Sequence, residues 1–252
     1  MFEQIILISL ILILSSIQSI IGVGILVLGT PILLILNYDI ISILSILIPA
    51  SILTSLINLV IMGRYLKNIN IILKKKTKSL FYLFCVPFIL IGLILLKIFQ
   101  QKINFEILIS SLIMISILAK HYYQNRKVYL TNYTKKFIFS LIGLIHGLTN
   151  SGGTLLSLFI SFSEKSFKSN SRYIITYFYL ILAFAQFTMF LFIFWEKDLF
   201  NNVSYLTSFV LIGCVIGNFL IKYINEKSLK LLVEIAAIIS CVFLFVNGVD
   251  QI

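Results

Sequence analysis

Long apolar runs separated by short polar stretches make up almost the whole chain. The hydrocarbon core of a bilayer is about 30 Å thick, and about 20 apolar residues of α-helix are needed to cross it, so such runs predict membrane helices. We expect apolar helices at residues 4–21, 25–36, 39–62, 80–98, 104–120, 135–149, 152–163, 172–195, 203–223 and 228–247. The pattern therefore predicts an all-α polytopic membrane protein.

Two of these segments are too short to cross a membrane alone. Residues 25–36 and 152–163 would each form a helix about 18 Å long at a rise of about 1.5 Å per residue. Each short segment either continues the helix before it as one broken span, or folds back against that helix as a re-entrant hairpin.

The distribution of Lys and Arg favours the hairpins. With broken spans, the 20 Lys and Arg residues divide 12 to 8 between the two sides of the membrane, whereas with hairpins they divide 17 to 3. Positive residues in short loops collect on the cytoplasmic side. We therefore expect both termini outside and four basic loops in the cytoplasm, at residues 63–79, 120–136, 164–172 and 222–230.

The two halves of the chain resemble each other at polar positions. Sliding the chain by 128 residues places Gln18 on His146 and Asn58 on Gln186. Apolar matches arise by chance in a chain that is 60% hydrophobic, so only the polar matches carry weight. They predict an internal repeat.

We expect two membrane repeats, residues 1–128 and 129–252. Each would consist of a broken or re-entrant first helix followed by three transmembrane helices. The predicted sidedness starts the two repeats from opposite faces of the membrane, which makes them inverted, as in many transporters.

Composition excludes a soluble protein and explains the basic charge. A mean hydropathy of +1.09 and a charged fraction of 12% leave no room for a soluble domain. A net charge of +11 would suggest nucleic acid in a soluble protein, but here the cations fall in loops, where anionic lipid head groups are their partners. We expect a multi-pass protein of the cell membrane, specifically the bacterial inner membrane, that contacts lipids and no nucleic acid.

The potentially reactive residues form no catalytic or metal-binding set. His121 falls in a loop, His146 is alone in an apolar segment, and the three cysteines are spread over apolar segments. A membrane-embedded enzyme would need a nucleophile with a base, or clustered metal ligands. We expect no catalytic residue, no metal and no cofactor.

Glycine and polar residues interrupt the chain just before each short segment. A helix that restarts there exposes N–H groups, and its dipole adds partial positive charge, so each break is a candidate anion site. Close helix packing is the alternative explanation for the glycines. The candidate substrate-binding residues at the breaks are Gly22, Gly24, Thr30, Pro31, Asn150, Ser151, Gly152, Gly153 and Thr154.

Four further polar residues are candidates for the same site. Gln18 and His146 precede the two breaks by about one helical turn, and Asn58 and Gln186 lie inside long apolar segments. Each alone could make an ordinary interhelical hydrogen bond. As two repeat-related pairs, we expect them to line the pathway, and His146 could also carry a proton near neutral pH.

The breaks carry a resemblance to a known family. GVGILVLGTP resembles the first-half signature of the sulfite exporter TauE/SafE family, with Gly22, Gly24 and Pro31 at matching positions, although Ile25 and Leu26 stand where further glycines are usual.

GLIHGLTNSGGTLL resembles the second-half signature of the same family. Gly152 and Gly153 match it, whereas Asn150 and Thr154 replace glycine and no proline follows. The resemblance implies transport of a small sulfur-containing anion such as sulfite, thiosulfate or an organosulfonate. We expect a secondary transporter; a membrane scaffold or assembly subunit and an anion channel stay open as alternatives, as does self-association into a homo-oligomer.

Overall fold

The computed structural model of the protein describes residues 2–22, 24–63, 75–123, 131–163, 168–194, 203–223 and 226–250. Within these ranges the chain forms ten α-helices and no strand. The helices are α1 Phe2–Ile21, α2 Ile25–Ile35, α3 Ile40–Gly63, α4 Lys75–Phe99, α5 Phe105–Tyr123, α6 Asn132–Thr149, α7 Gly152–Ser163, α8 Lys168–Ile193, α9 Val203–Leu220 and α10 Glu226–Asp250. The predicted all-α fold is confirmed, and each helix coincides with a predicted segment.

The helices have the length and composition of a multi-pass membrane protein. Among the described residues, four helices carry an apolar stretch long enough to cross a bilayer, and shorter apolar stretches lie in α2, α5, α9 and α10. Large apolar side chains also lie on the outer surface, where Phe192 is 91% exposed and Val215 is 70% exposed. Such a surface suits lipid rather than water.

The short helix α2 folds back along α1. The side-chain oxygen of Gln18 accepts a hydrogen bond from the backbone N–H of Ile25. Further along, a Cβ atom built on Gly29 would lie 3.0 Å from a methyl carbon of Leu14. In one continuous helix, these two residues would be about 22 Å apart, so α1 and α2 form a hairpin.

The short helix α7 folds back along α6 in the same way. The rings of Phe139 and Phe159 lie 4.7 Å apart, centroid to centroid, whereas a continuous helix would separate them by about 30 Å. Both short helices therefore adopt the hairpin that the charge distribution favours. Parts of all four basic loops lie outside the described residues, and the cytoplasmic orientation stays a prediction.

Each hairpin packs against helices from the other half of the chain. Helix α1 lies along α9 and α6 lies along α4, while α3 packs against α8 and α5 against α10. Exchanging α1–α5 with α6–α10 leaves this set of pairs unchanged.

Glycines allow α9 to approach α1 closely and α4 to approach α6 closely. A Cβ atom on Gly217 of α9 would lie 2.4 Å from the carbonyl oxygen of Ser16, and one on Gly92 of α4 would lie 2.4 Å from that of Leu144. A side chain at either position would collide with the backbone of the opposite helix. These close contacts fix the ends of α1 and α6 that lead into the two breaks.

Candidate functional site

The first break lies between α1 and α2, and protein side chains close it. Gly22 has a φ of 93°, a left-handed conformation that favours glycine. The N–H of Ile25 donates to Oε1 of Gln18 at 3.1 Å, and the N–H of Leu26 donates to the hydroxyl oxygen of Tyr179 at 3.2 Å. Two N–H groups at the start of α2 are therefore already paired with buried side chains.

Gln18 connects three helices. Its amide nitrogen donates to the carbonyl oxygen of Ser51 at 3.2 Å and to the hydroxyl of Ser55 at 3.0 Å, both on α3. Its oxygen accepts from Ile25 of α2. A buried amide with these partners is well satisfied, so Gln18 holds the first break in place, and its role in binding a substrate stays a prediction.

The first break also packs tightly behind Gln18. A Cβ atom on Gly24 would lie 3.0 Å from the backbone nitrogen of Gln18, which leaves little room for a larger residue. Glycine at this position lets α2 begin directly against α1.

Thr30 and Pro31 lie inside α2 and are buried. The hydroxyl of Thr30 donates to the carbonyl oxygen of Leu26 at 2.9 Å and accepts from the side-chain nitrogen of Asn150 at 3.4 Å. The second of these bonds joins the first hairpin to the second break.

The second break is a compact turn between α6 and α7. Asn150 ends α6 in a left-handed conformation with a φ of 62°, and its N–H donates to the carbonyl oxygen of His146 at 2.9 Å. The hydroxyl of Ser151 donates to the carbonyl oxygen of Thr149 at 3.2 Å. The hydroxyl of Thr154 in turn donates to the carbonyl oxygen of Ser151 at 2.7 Å.

Gly152 and Gly153 begin α7, where neighbouring side chains leave no room for a Cβ atom. A Cβ atom on Gly152 would lie 2.5 Å from Cβ of His146, and one on Gly153 would lie 2.3 Å from a ring carbon of Tyr179. Glycine is therefore required here by close contact with named side chains.

The second break holds buried polar atoms that have no partner among the described residues. Among the described residues, no hydrogen bond reaches either ring nitrogen of His146, Oδ1 of Asn150 or Oε1 of Gln186. All three side chains are fully buried, and the amide nitrogen of Gln186 donates to the carbonyl oxygen of His146 at 3.0 Å. Leaving such a group unpaired costs about 1–3 kcal/mol. A polar ligand or a water molecule that bonds these atoms would remove that cost.

Tyr179 of α8 lies between the two breaks. Its hydroxyl oxygen accepts from Leu26 of α2, its ring packs against Gly153 of α7, and the ring centroid is 6.5 Å from that of His146. Nothing in the sequence alone marks Tyr179 as a candidate. It is one of 12 tyrosines in an ordinary apolar run, and only the fold distinguishes it from the others.

Asn58 belongs to a separate polar cluster at the end of α1. Its side-chain nitrogen donates to the hydroxyl of Ser19 at 3.3 Å, and its oxygen accepts from Asn218 at 2.8 Å. The guanidinium of Arg172 donates to the carbonyl oxygen of Ser19 and to Oδ1 of Asn218. This cation, which the sequence analysis assigned to a basic loop, lies beside the first break.

The remaining histidine does not contribute to the breaks. His121 lies exposed within α5, rather than in a loop, and its Nε2 is 3.0 Å from a carboxylate oxygen of Glu234 on α10. In the part of the chain that the structure describes, no group of three or more His, Cys, Asp or Glu residues is placed to hold a metal ion. The side chains at the breaks are instead amides, hydroxyls and an imidazole, which can form hydrogen bonds.

Comparison with known proteins supports a transporter. The family described as Sulfite exporter TauE/SafE matches residues 7–244 of the chain. Neither the comparison with curated proteins nor that with solved structures found a match. Because the match covers nearly the whole chain, and the structure is a bundle of apolar helices, the protein belongs to the TauE/SafE sulfite exporter family of multi-pass membrane transporters.

Proposed function

We propose that the protein is a secondary transporter that carries a small sulfur-containing anion, such as sulfite, thiosulfate or an organosulfonate, across the bacterial inner membrane. The anion is held at the two helix breaks, with the second break as its main contact. The observation that carries this proposal is the set of buried polar atoms of His146, Asn150 and Gln186 that have no partner in the described part of the chain. They lie where irregular backbone interrupts a membrane helix, which is tolerated only around protein contacts or a wet cavity.

The start of α7 supplies the attraction for the anion. Among the described contacts, the N–H groups of Gly152 and Gly153 make no hydrogen bond, and the helix dipole adds partial positive charge at this end. A neutral imidazole carries one further N–H donor. Neutral donors of this kind bind an anion without a buried permanent cation at the contact itself.

The amide oxygens at the second break favour an anion that carries a proton. Oδ1 of Asn150 and Oε1 of Gln186 accept hydrogen bonds and cannot donate them, so a bare dianion would face their lone pairs. Hydrogensulfite carries a proton that it can share, whereas thiosulfate at neutral pH does not. We therefore expect tighter binding of hydrogensulfite than of thiosulfate.

The direction of transport follows from the membrane potential. With the cell interior negative, expelling one negative charge gains about 2.3 kcal/mol per 100 mV, so export of a monoanion needs no coupled ion. The site would open to each side in turn if the two halves rock against each other. The exchange symmetry of the helix pairs supports such a two-part arrangement.

Uptake into proteoliposomes tests the proposal. Labelled sulfite, thiosulfate and a small organosulfonate are compared in the native protein, in His146→Ala and in a matched control, His121→Ala. We expect saturable sulfite uptake in the native and control proteins and a loss of about tenfold or more in His146→Ala, since one to two hydrogen bonds to an anion are removed.

Two results would point to the alternatives. If no sulfur anion moves in any of the three proteins, the protein acts as a scaffold or assembly subunit. If flux persists when the two halves are cross-linked together, it is an anion channel, because alternating access requires them to move.

A further inference from the structure

The hydroxyl of Tyr179 accepts a hydrogen bond from a backbone N–H at the start of α2, a group that would otherwise be able to bind an anion. The first-turn N–H groups of a helix are the groups that bind anions at helix N-termini. At the start of α2, the N–H of Leu26 is taken by the Tyr179 hydroxyl at 3.2 Å, and that of Ile25 by Gln18. At the start of α7, no side chain among the described residues accepts from Gly152 or Gly153.

The two breaks therefore differ, although the sequence relates them. The first break is closed by side chains, and the second retains unpartnered buried atoms on His146 and Asn150. Tyr179 contacts both, because its ring packs against Gly153 while its hydroxyl reaches Leu26.

We propose that the Tyr179 hydroxyl occupies the anion's place at the first break in the substrate-free protein, and that the bound anion displaces it. The proposal rests on the function proposed above. An anionic acceptor bonds an N–H about twice as strongly as a neutral hydroxyl does, so the Leu26 N–H favours the anion, while the Tyr179 hydroxyl also gives up its hydrogen bond with Ser51. Because the ring rests on Gly153, its displacement also moves the start of α7, which links substrate binding to a change at both breaks.

Equilibrium binding of labelled sulfite to the purified protein tests the competition. Tyr179→Phe keeps the ring on Gly153 and removes only the hydroxyl, so the Leu26 N–H becomes free for the anion. We expect the Kd for sulfite to fall by about threefold to tenfold, the range that corresponds to one hydrogen bond between neutral groups.

Tyr177→Phe is the matched control. Tyr177 lies on the same helix, and its hydroxyl pairs with that of Tyr82 at 2.9 Å, in an exposed position. We expect its Kd to equal that of the native protein. An unchanged or weaker affinity in Tyr179→Phe would overturn the proposal, since a hydroxyl that binds the anion directly would lower affinity when removed.

A second measurement uses the native protein alone. Addition of sulfite should change the ultraviolet absorbance of tyrosine as Tyr179 leaves its hydrogen bond, and this change should be missing in Tyr179→Phe. An identical difference spectrum in both proteins would overturn the proposal. Absence of sulfite, thiosulfate and sulfonate binding from the native protein and both variants would instead show that the proposed function is wrong.

Discussion

Among single residues, the candidate site depends on side chains that each contact at least two other helices. Gln18 links the start of α2 to α3, and Tyr179 links it to the start of α7. Such residues position the backbone as well as offering polar atoms. Arg172 is a cation beside these residues. Its guanidinium caps the C-terminal end of α1 by donating a hydrogen bond to the carbonyl oxygen of Ser19.

Removing this cation should weaken the first break. A positive group at a helix C-terminus is stabilised by the dipole, and a hydrogen bond to a charged group contributes about 1.5–3 kcal/mol. We expect Arg172→Met to lower the free energy of unfolding by about that amount and to slow sulfite uptake, and Arg172→Lys to recover part of both. Thermal unfolding in detergent and uptake in proteoliposomes measure the two effects.

Lys222→Met provides the control for this prediction, because it removes an exposed cation at the end of α9. Native stability in Arg172→Met would show that the contacts with Ser19 and Asn218 do not hold α1.

The sequence identifies some of these residues and cannot identify others. His146, Asn150 and Gly152 are recognisable because polar residues and glycines are unexpected in an apolar run. Tyr179 and Arg172 are not, since tyrosine is common in this chain and Arg172 belongs to a predicted basic loop. Their importance comes from contacts with residues more than 150 positions away, which no local pattern contains.

Among the helices, hydropathy along the sequence predicts the number, position and length of the segments. The ten segments and the shortness of α2 and α7 follow from the lengths of the apolar runs. The fold-back of the two hairpins does not follow from hydropathy, and only the charge distribution favours it. What the sequence lacks is the partner of each helix, because apolar faces look alike in a chain this hydrophobic.

Glycine contacts relate the two halves at this scale. Gly217 packs on Ser16 of α1, and Gly92 packs on Leu144 of α6. Ser16 and Leu144 are separated by the same 128 residues that relate the polar positions of the predicted repeats. The internal repeat stays a prediction, and this agreement between sequence offset and packing supports it.

Cross-linking can test the hairpin of α6 and α7 directly. We expect cysteines at Phe139 and Phe159, in a background without the three native cysteines, to be joined by a short bifunctional thiol reagent, because the two rings are in contact. Mass spectrometry of the digested protein detects the linked peptides, and the two single-cysteine variants are the controls. Failure to cross-link would indicate a continuous span, in which the two positions lie about 30 Å apart.

In the whole molecule, the helices enclose a mainly apolar core that holds local groups of polar side chains. Buried polar side chains concentrate at the two breaks and at the end of α1, whereas large exposed apolar residues cover the outside of α4, α9 and α10. A scaffold role alone does not account for the buried polar atoms of His146, Asn150 and Gln186 that have no partner among the described residues. Their cost is understandable if a polar substrate pairs with them for part of each cycle.

Two alanine variants show whether a sulfur anion binds where α7 begins. A Cβ atom on Gly152 would collide with Cβ of His146 and lie 2.7 Å from the carbonyl oxygen of Ile142, whereas one on Gly63 has no neighbour within 4 Å. The measurement is saturable uptake of labelled sulfite by proteoliposomes that contain the native protein, Gly152→Ala or Gly63→Ala.

We expect uptake to fall by about tenfold or more in Gly152→Ala, because the start of α7 must move away from His146 by a distance that breaks hydrogen bonds to the anion. Gly63→Ala should transport at the native rate. Native uptake by a folded Gly152→Ala protein would contradict the account, as would a native protein that takes up no sulfite.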